Sequence, residues 1–201
     1  MQAAQVNPIA LQIGQAYGGG FVTGFYQQDG KRYAVITAPA SYELVGEWGE
    51  YGQKVDGASS LTDSRANTEA MAAAGSDIAQ KVLGLDIEGF TDWAIPARDV
   101  QELQYRHFKP TTDANYAWNR DGENNSSVPP GGLYSEESPV QTSFEAFKVG
   151  GQEAFQPRAY WSSTQRSASN AFYMYFDDGL QTYGGKYDEF RVRPVRSELI
   201  Q

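Results

Sequence analysis

His107 is the only histidine in the chain, so any Ser-His-Asp hydrolase chemistry would have to run through it. It falls at helical spacing with Val100, Leu103 and Phe108, on the apolar side of an expected helix, which reads as a packed residue and not a general base. A glycosidase needs two carboxylates on opposite sides of a sugar bond; the candidates Asp177, Asp178, Asp188 and Glu189 stand among turn formers, where solvated hairpin acids are the plainer reading. Asp121-Gly122-Glu123-Asn124-Asn125 offers oxygen ligands for calcium but lacks the twelve-position spacing and terminal Glu of an EF-hand loop. There is no cysteine, which excludes a disulfide framework, a thiolate zinc site and a Cys nucleophile. No catalytic residue, metal or cofactor is assigned, and a binding or structural module is expected instead of an enzyme.

These residues need a scaffold, and the composition supplies one. The 201 residues are long enough to bury a single core, and 40% hydrophobic with 13% aromatic residues is globular usage. A formal charge of -9 with no run of Lys or Arg argues against nucleic-acid binding, which rests on phosphate neutralisation. Met1-Gln2-Ala3-Ala4-Gln5 lacks the basic start and apolar run of a signal peptide, and no stretch is long enough for membrane insertion, so synthesis in the cytosol is expected.

Along the chain, residues 1–17 have little periodicity and read as an arm that docks on a neighbouring surface, followed by one domain over 18–201. Phe21 to Gln27 and Lys31 to Ala38, separated by Asp29-Gly30, form a hairpin signature. A helix is expected from Asp63 to Leu83, capped by Thr62 or Asp63 and stopped at Gly84, and a second one after Pro96 to about Phe108, both packing on one sheet. From Pro110 to Ala159 turn formers dominate, but Tyr116, Trp118, Leu133, Tyr134, Phe144, Phe147 and Phe155 are interspersed, which predicts a long ordered loop packed by its own aromatics. Strand grammar returns over Ala171 to Phe176, Leu180 to Tyr183 and Phe190 to Val195; alternation puts Phe172, Met174 and Phe176 on the core face and Tyr173 and Tyr175 outward.

Three stretches together resemble the C-terminal domain of the Legionella collagen-like adhesin family, a C-type-lectin-like fold common in phage and prophage proteins. They are Gly89-Phe90-Thr91-Asp92-Trp93-Ala94-Ile95-Pro96 with Arg98, Asp99, Glu102 and Leu103; Tyr160-Trp161-Ser162-Ser163-Thr164; and Ala171, Phe176 and Gly179 with the closing Val192-Arg193-Pro194-Val195-Arg196. The front half, from Ala16-Tyr17-Gly18-Gly19-Gly20-Phe21 through the Ala-rich helix, is similar to the extended form in tailed-phage structural proteins. Two departures stand out: Ala94 replaces a larger residue, and Ala97 replaces the usual Ser or Thr before the helix, a lost cap of about 0.5–2 kcal/mol unless another acceptor reaches the free amides.

The resemblance implies an α+β, C-type-lectin-like fold: a twisted antiparallel sheet with two helices and a long ordered loop region. Trp93 and Trp161 become framework residues filling the core. No Glu-Pro-Asn tripeptide of the calcium-dependent sugar binders is present. In related lectin-like proteins the strand-and-loop face near the C-terminus is the ligand surface, which here implies Gln165, Arg166, Ser167, Tyr173, Tyr175, Asp177, Asp178, Gln181, Tyr183, Lys186 and Tyr187. Tyrosine suits such a face because it gives large contact area for little lost rotamer entropy. The expected role is a bacteriophage virion protein at the tail tip, fibre or baseplate that recognises a host cell-surface protein or glycan. Residues 1–17 would hold it to other virion proteins, and a homo-oligomer, trimer or higher ring, follows by analogy with tail symmetry. A purely structural virion protein, a head decoration or baseplate adaptor using the same face for protein contacts, is the alternative.

Overall fold

The computed structural model describes residues 11–118 and 120–200. Over these described residues it is an α+β fold with two sheets and three α-helices. The first sheet has the order β1-β2-β3-β9, from β1 (Ala16–Tyr17), β2 (Gly20–Gln28), β3 (Lys31–Thr37) and β9 (Val195–Leu199), with every neighbour antiparallel. The β2–β3 hairpin turns on Asp29 and Gly30, with φ of 50° and 73°, the doubly positive geometry that matches strand twist in a two-residue loop. Leu11 and Ile13, expected in the docking arm, pack against the cores of the domain, and Gly14 N–H donates to the Val22 carbonyl at 2.8 Å. Residues 1–10 of that arm lie outside the described residues.

The second sheet has the order β4-β8-β5-β6-β7, from β4 (Leu44–Glu47), β5 (Ala159–Gln165), β6 (Asn170–Tyr175), β7 (Gln181–Gly185) and β8 (Glu189–Val192). It is antiparallel apart from a short parallel contact of β5 with β8 at Tyr160 and Arg191. The run Phe190 to Val195, expected as one strand, is broken at Arg193-Pro194. Proline has no N–H to give a ladder, its carbonyl accepts instead from Ala38, and β8 and β9 go to different sheets.

The helix expected over Asp63 to Leu83 is two helices, α1 (Ser64–Ala73) and α2 (Asp77–Leu83). Gly75, at φ 98°, takes the left-handed conformation that ends α1. Asp63 caps α1, its carboxylate accepting from Ala66 N–H at 2.9 Å. The third helix, α3 (Arg98–Phe108), has no cap from Ala97, yet its first amides are served from elsewhere: Arg98 N–H donates to Thr164 Oγ1 at 3.0 Å and Asp99 N–H to the Leu61 carbonyl at 2.9 Å. The helices share the second sheet as expected, α1 and α2 packing on β5 and β4 and α3 on β5 and β6, but α3 also touches β2 and so lies between the two sheets. Its buried amides join both: Gln101 donates to the carbonyls of Tyr160 and Trp161, and Gln104 to Thr37 Oγ1 and the Arg193 carbonyl.

Trp48, Trp93 and Trp161 are fully buried in the larger core, each indole N–H satisfied by a backbone carbonyl, those of Ser162, Phe90 and Gly46. A second cluster under the long loop gathers Tyr105, Phe108, Tyr134, Phe147, Phe155, Tyr160, Met174 and Phe176, with Phe108 stacked on Phe147 at 3.8 Å and Phe155 on Phe176 at 4.4 Å. Tyr134, Phe147 and Phe155 thus pack the loop as its composition predicts, but Trp118, Leu133 and Tyr116 stay exposed.

Candidate functional site

One hairpin and the long loop place the site. The β6–β7 hairpin pairs Phe172 with Tyr183 and Tyr173 with Thr182, and residues directly opposite share a face. Tyr183 therefore stands on the side of Phe172, away from Tyr173 and Tyr175. The long loop is tied along this hairpin by its own polar groups: Tyr116 N–H donates to the Asp178 carbonyl at 2.7 Å, Gln181 N–H to Asp121 Oδ1 at 3.0 Å, and Gly122 N–H to Gln181 Oε1 at 3.1 Å. Between loop and hairpin runs a groove of about 530 Å³ lined by Tyr116, Trp118, Asp121, Arg166, Phe172 and Tyr183, with Leu180, Gln181 and Thr182 completing it.

Trp118 is 73% exposed, in contrast to the three buried indoles. The Arg166 guanidinium lies 3.9 Å over the Tyr183 ring, and Tyr183 meets Phe172 edge-on at 6.4 Å. On the inner side Arg98 covers Phe172 at 5.2 Å. Burial pushes the Asp121 carboxyl up, against the Gln181 N–H and the nearby Arg98 charge, which favour its ionised form. The groove thus combines flat aromatic faces with planar hydrogen-bonding groups, the equipment for holding a sugar or peptide segment.

The residues expected on one ligand face divide over several places. Arg166, Gln181 and Tyr183 come together in the groove. Tyr173 and Tyr175 lie on the opposite face, Tyr173 packed against Trp161 and Phe190 and Tyr175 beside a shallow depression with Val45 and Arg158. Two outward placements are corrected. Lys186 is 0% exposed, its ammonium over the Trp48 ring at 4.3 Å and donating to the Gln53 carbonyl at 2.7 Å and to Gln165 Oε1, and burial lowers its pKa to about 8. Gln165 is likewise buried, its amide exchanging hydrogen bonds with both backbone groups of Val55. Ser167 closes a turn by accepting from the backbone of Ser169 and Asn170. Tyr187 is exposed near the far end of β7, against Tyr51 at 5.3 Å.

The four turn acids sit at the two ends of β7: Asp177 and Asp178 before it, Asp188 and Glu189 after it. The carboxylates fold back along the strand: Asp178 accepts from Leu180 N–H at 3.0 Å, and Asp188 Oδ2 lies beside Gly184. In the loop once compared with a calcium site, Asn124 donates to the Asp99 carbonyl and Glu102 and accepts from Ser126 and Ser127, so its amide is spent inside the fold. His107 is mostly enclosed at the end of α3, and burial, with the Arg106 charge adding to it, lowers its pKa to about 4. Trp118, Tyr116 and Phe172 were missed as site residues. Nothing in the sequence set Trp118 apart from the other loop aromatics: Tyr116 and Ala114 stand two and four residues before it, and it reads with them as packing the loop. No protein-family model matches the chain, and no curated protein matches it.

Proposed function

We propose that this chain is a non-catalytic recognition module, a C-type-lectin-like domain carried on a bacteriophage particle, and that it holds a host-surface ligand in the groove beneath Trp118. The observation that carries the reading is the contrast among the tryptophans: three are enclosed in the scaffold, while the fourth stands open over a groove already lined by Tyr116, Phe172 and Tyr183. Exposing an indole forgoes roughly 2 kcal/mol of burial, and open aromatic platforms are characteristic of binding surfaces. The lectin-like assignment rests on the sequence resemblance, and the α+β architecture is compatible with it.

The test is adsorption of otherwise intact particles carrying Trp118→Ala or Tyr183→Ala, with near-ultraviolet circular dichroism to verify the fold. Either change is expected to slow adsorption at least tenfold, whereas Tyr175→Ala, on the other face, leaves it within twofold. Wild-type adsorption by both groove variants overturns the reading.

A further inference from the structure

We propose that the ligand of the Trp118 groove is an acidic sugar, one whose carboxylate is received by Arg166 while its ring lies on the exposed indole; this rests on the recognition reading above. The first observation is the state of Arg166. It is exposed, it makes no side-chain hydrogen bond or ion pair among the described residues, and its guanidinium is held flat on the Tyr183 ring at 3.9 Å. Stacking fixes the plane of the fork and leaves its N–H edges free, so less rotamer entropy remains to be lost when a planar anion arrives. In a chain of net charge -9, Arg65, Arg106, Arg120, Arg191, Arg193 and Arg196 have carboxylate partners; Arg32 and Arg98 are, like Arg166, stacked and without one among the described residues, but of these three Arg166 is the one that lines the groove.

The acids around it are already engaged. Asp121, which lines the groove, accepts the Gln181 N–H through Oδ1, and Asp178, near enough to push the Asp121 carboxyl up, accepts the Leu180 N–H at 3.0 Å. Arg98 itself lies over Phe172 with a buried Nε that has no partner. Arg166 is therefore the guanidinium that lines the groove, and the acids beside it are tied to backbone N–H groups.

A sugar is favoured over a peptide by the way the loop covers β7. An extended peptide would bind by adding a strand to that edge, using outward-facing amides. At the groove the outward N–H of Gln181 is occupied by Asp121, and the Gln181 side chain is occupied by Gly122. What the groove presents is therefore side chains, with indole and phenol faces for the C–H surface of a pyranose and one fork for bidentate contact with a carboxylate.

The experiment titrates the full chain with trigalacturonate and with α-1,4-galactotriose, which differ only in the carboxylates, and with N-acetylneuraminyl-lactose beside lactose. Binding is read by calorimetry and by protection of Trp118 fluorescence from acrylamide. At least one acidic member is expected to bind tenfold or more tighter than its neutral counterpart, with protection of the exposed indole, a preference that Arg166→Gln removes and Arg166→Lys restores in part. Equal binding of acidic and neutral sugars, a preference that survives Arg166→Gln, or binding of an Asp/Glu-rich peptide in place of all four sugars overturns the proposal, as does failure of the wild type to bind any probe. If that happens while Trp118→Ala still slows particle adsorption, the inference about acidic sugars falls alone and the recognition reading stands.

Discussion

Glu102 lies in the middle of α3 with no exposed surface, and its two oxygens are fully used: Arg106 Nε donates to it at 2.7 Å, Tyr134 Oη at 2.8 Å and Asn124 Nδ2 at 2.8 Å. Burial pushes its carboxyl up, and the Arg106 charge and these three donors pull it back toward the ionised form. Through Tyr134 and Asn124 it fixes the loop that also carries Trp118. Removing it leaves three donors without their acceptor, so Glu102→Ala is expected to cost about 3 to 5 kcal/mol in denaturant unfolding; a loss under about 1 kcal/mol would mean that the loop is anchored elsewhere. His107 makes a separate prediction about pH. Its folded pKa is lowered to about 4 from 6.5, so the unfolded chain takes up the proton first as pH falls. The stability this contributes is present above pH 6.5 and lost as pH drops through about 4, by about 2 to 3 kcal/mol. Comparing wild type with His107→Gln between those limits isolates the effect, since the variant should lack this slope; parallel curves would refute it.

At the scale of elements, the β2–β3 hairpin was legible because the turn is chemically specific: Asp29-Gly30 takes positive φ at both positions, and nothing lies within 4 Å of a Cβ added at Gly30. Gly30→Ala therefore meets strain without a clash, and about 1 kcal/mol should be lost in thermal unfolding; a neutral result would show that the turn relaxes to another type. The cap of α3 was legible only as a deficit. Ala97 announced the missing hydroxyl, but its replacement, Thr164 Oγ1, comes from β5, which is remote in the chain. Thr164→Val keeps the shape and removes the acceptor, and should cost about 1 kcal/mol in denaturant unfolding, more if the Ser60 carbonyl also loses its donor. What could not be read follows the same pattern. The break between α1 and α2 had Gly75 as a local sign that was outweighed by the alanine run around it. The register of Phe172 against Tyr183 depends on how many residues the Asp177-Asp178-Gly179 turn consumes, and one step of slip exchanges the two faces. Alternation placed Tyr173 and Tyr175 outward and the resemblance added Tyr183 to their face; pairing separates them. The burial of Gln101, Glu102 and Gln104 has no mark in the spacing: α3 is covered on both sides, and these polar groups are satisfied by backbone and loop partners that a single sequence does not reveal.

At the scale of the whole molecule, the last strand closes what the first strands open. β9 pairs with β3, and its side chains reach further: Ser197 accepts from Tyr26 Oη at 3.0 Å, Glu198 from Tyr17 Oη at 2.7 Å, and Arg196 is paired with Asp92 at 2.7 Å and Glu198 at 3.1 Å. Val195 exchanges both backbone hydrogen bonds with Ala94, next to the buried Trp93. The strand therefore joins the first sheet, the segment leading into α3 and, across Arg193-Pro194, the second sheet that carries the groove. Deleting the chain from Val195 onward bares the edge of β3, where Val35 and Ile36 are fully buried, and leaves Asp92 without its guanidinium partner. Loss of so many coupled contacts exceeds the 5 to 15 kcal/mol that roughly bounds the stability of a domain. The truncated chain should thus lose its cooperative unfolding transition and the near-ultraviolet signal of its packed indoles, together with any ligand binding at Trp118. Arg196→Ala alone, which removes the ion pairs but keeps the ladder, should retain a single transition at reduced midpoint. If the truncated chain instead unfolds in one sharp transition with native aromatic ellipticity, the two sheets do not share one core, and the groove is held by the second sheet and its loop alone.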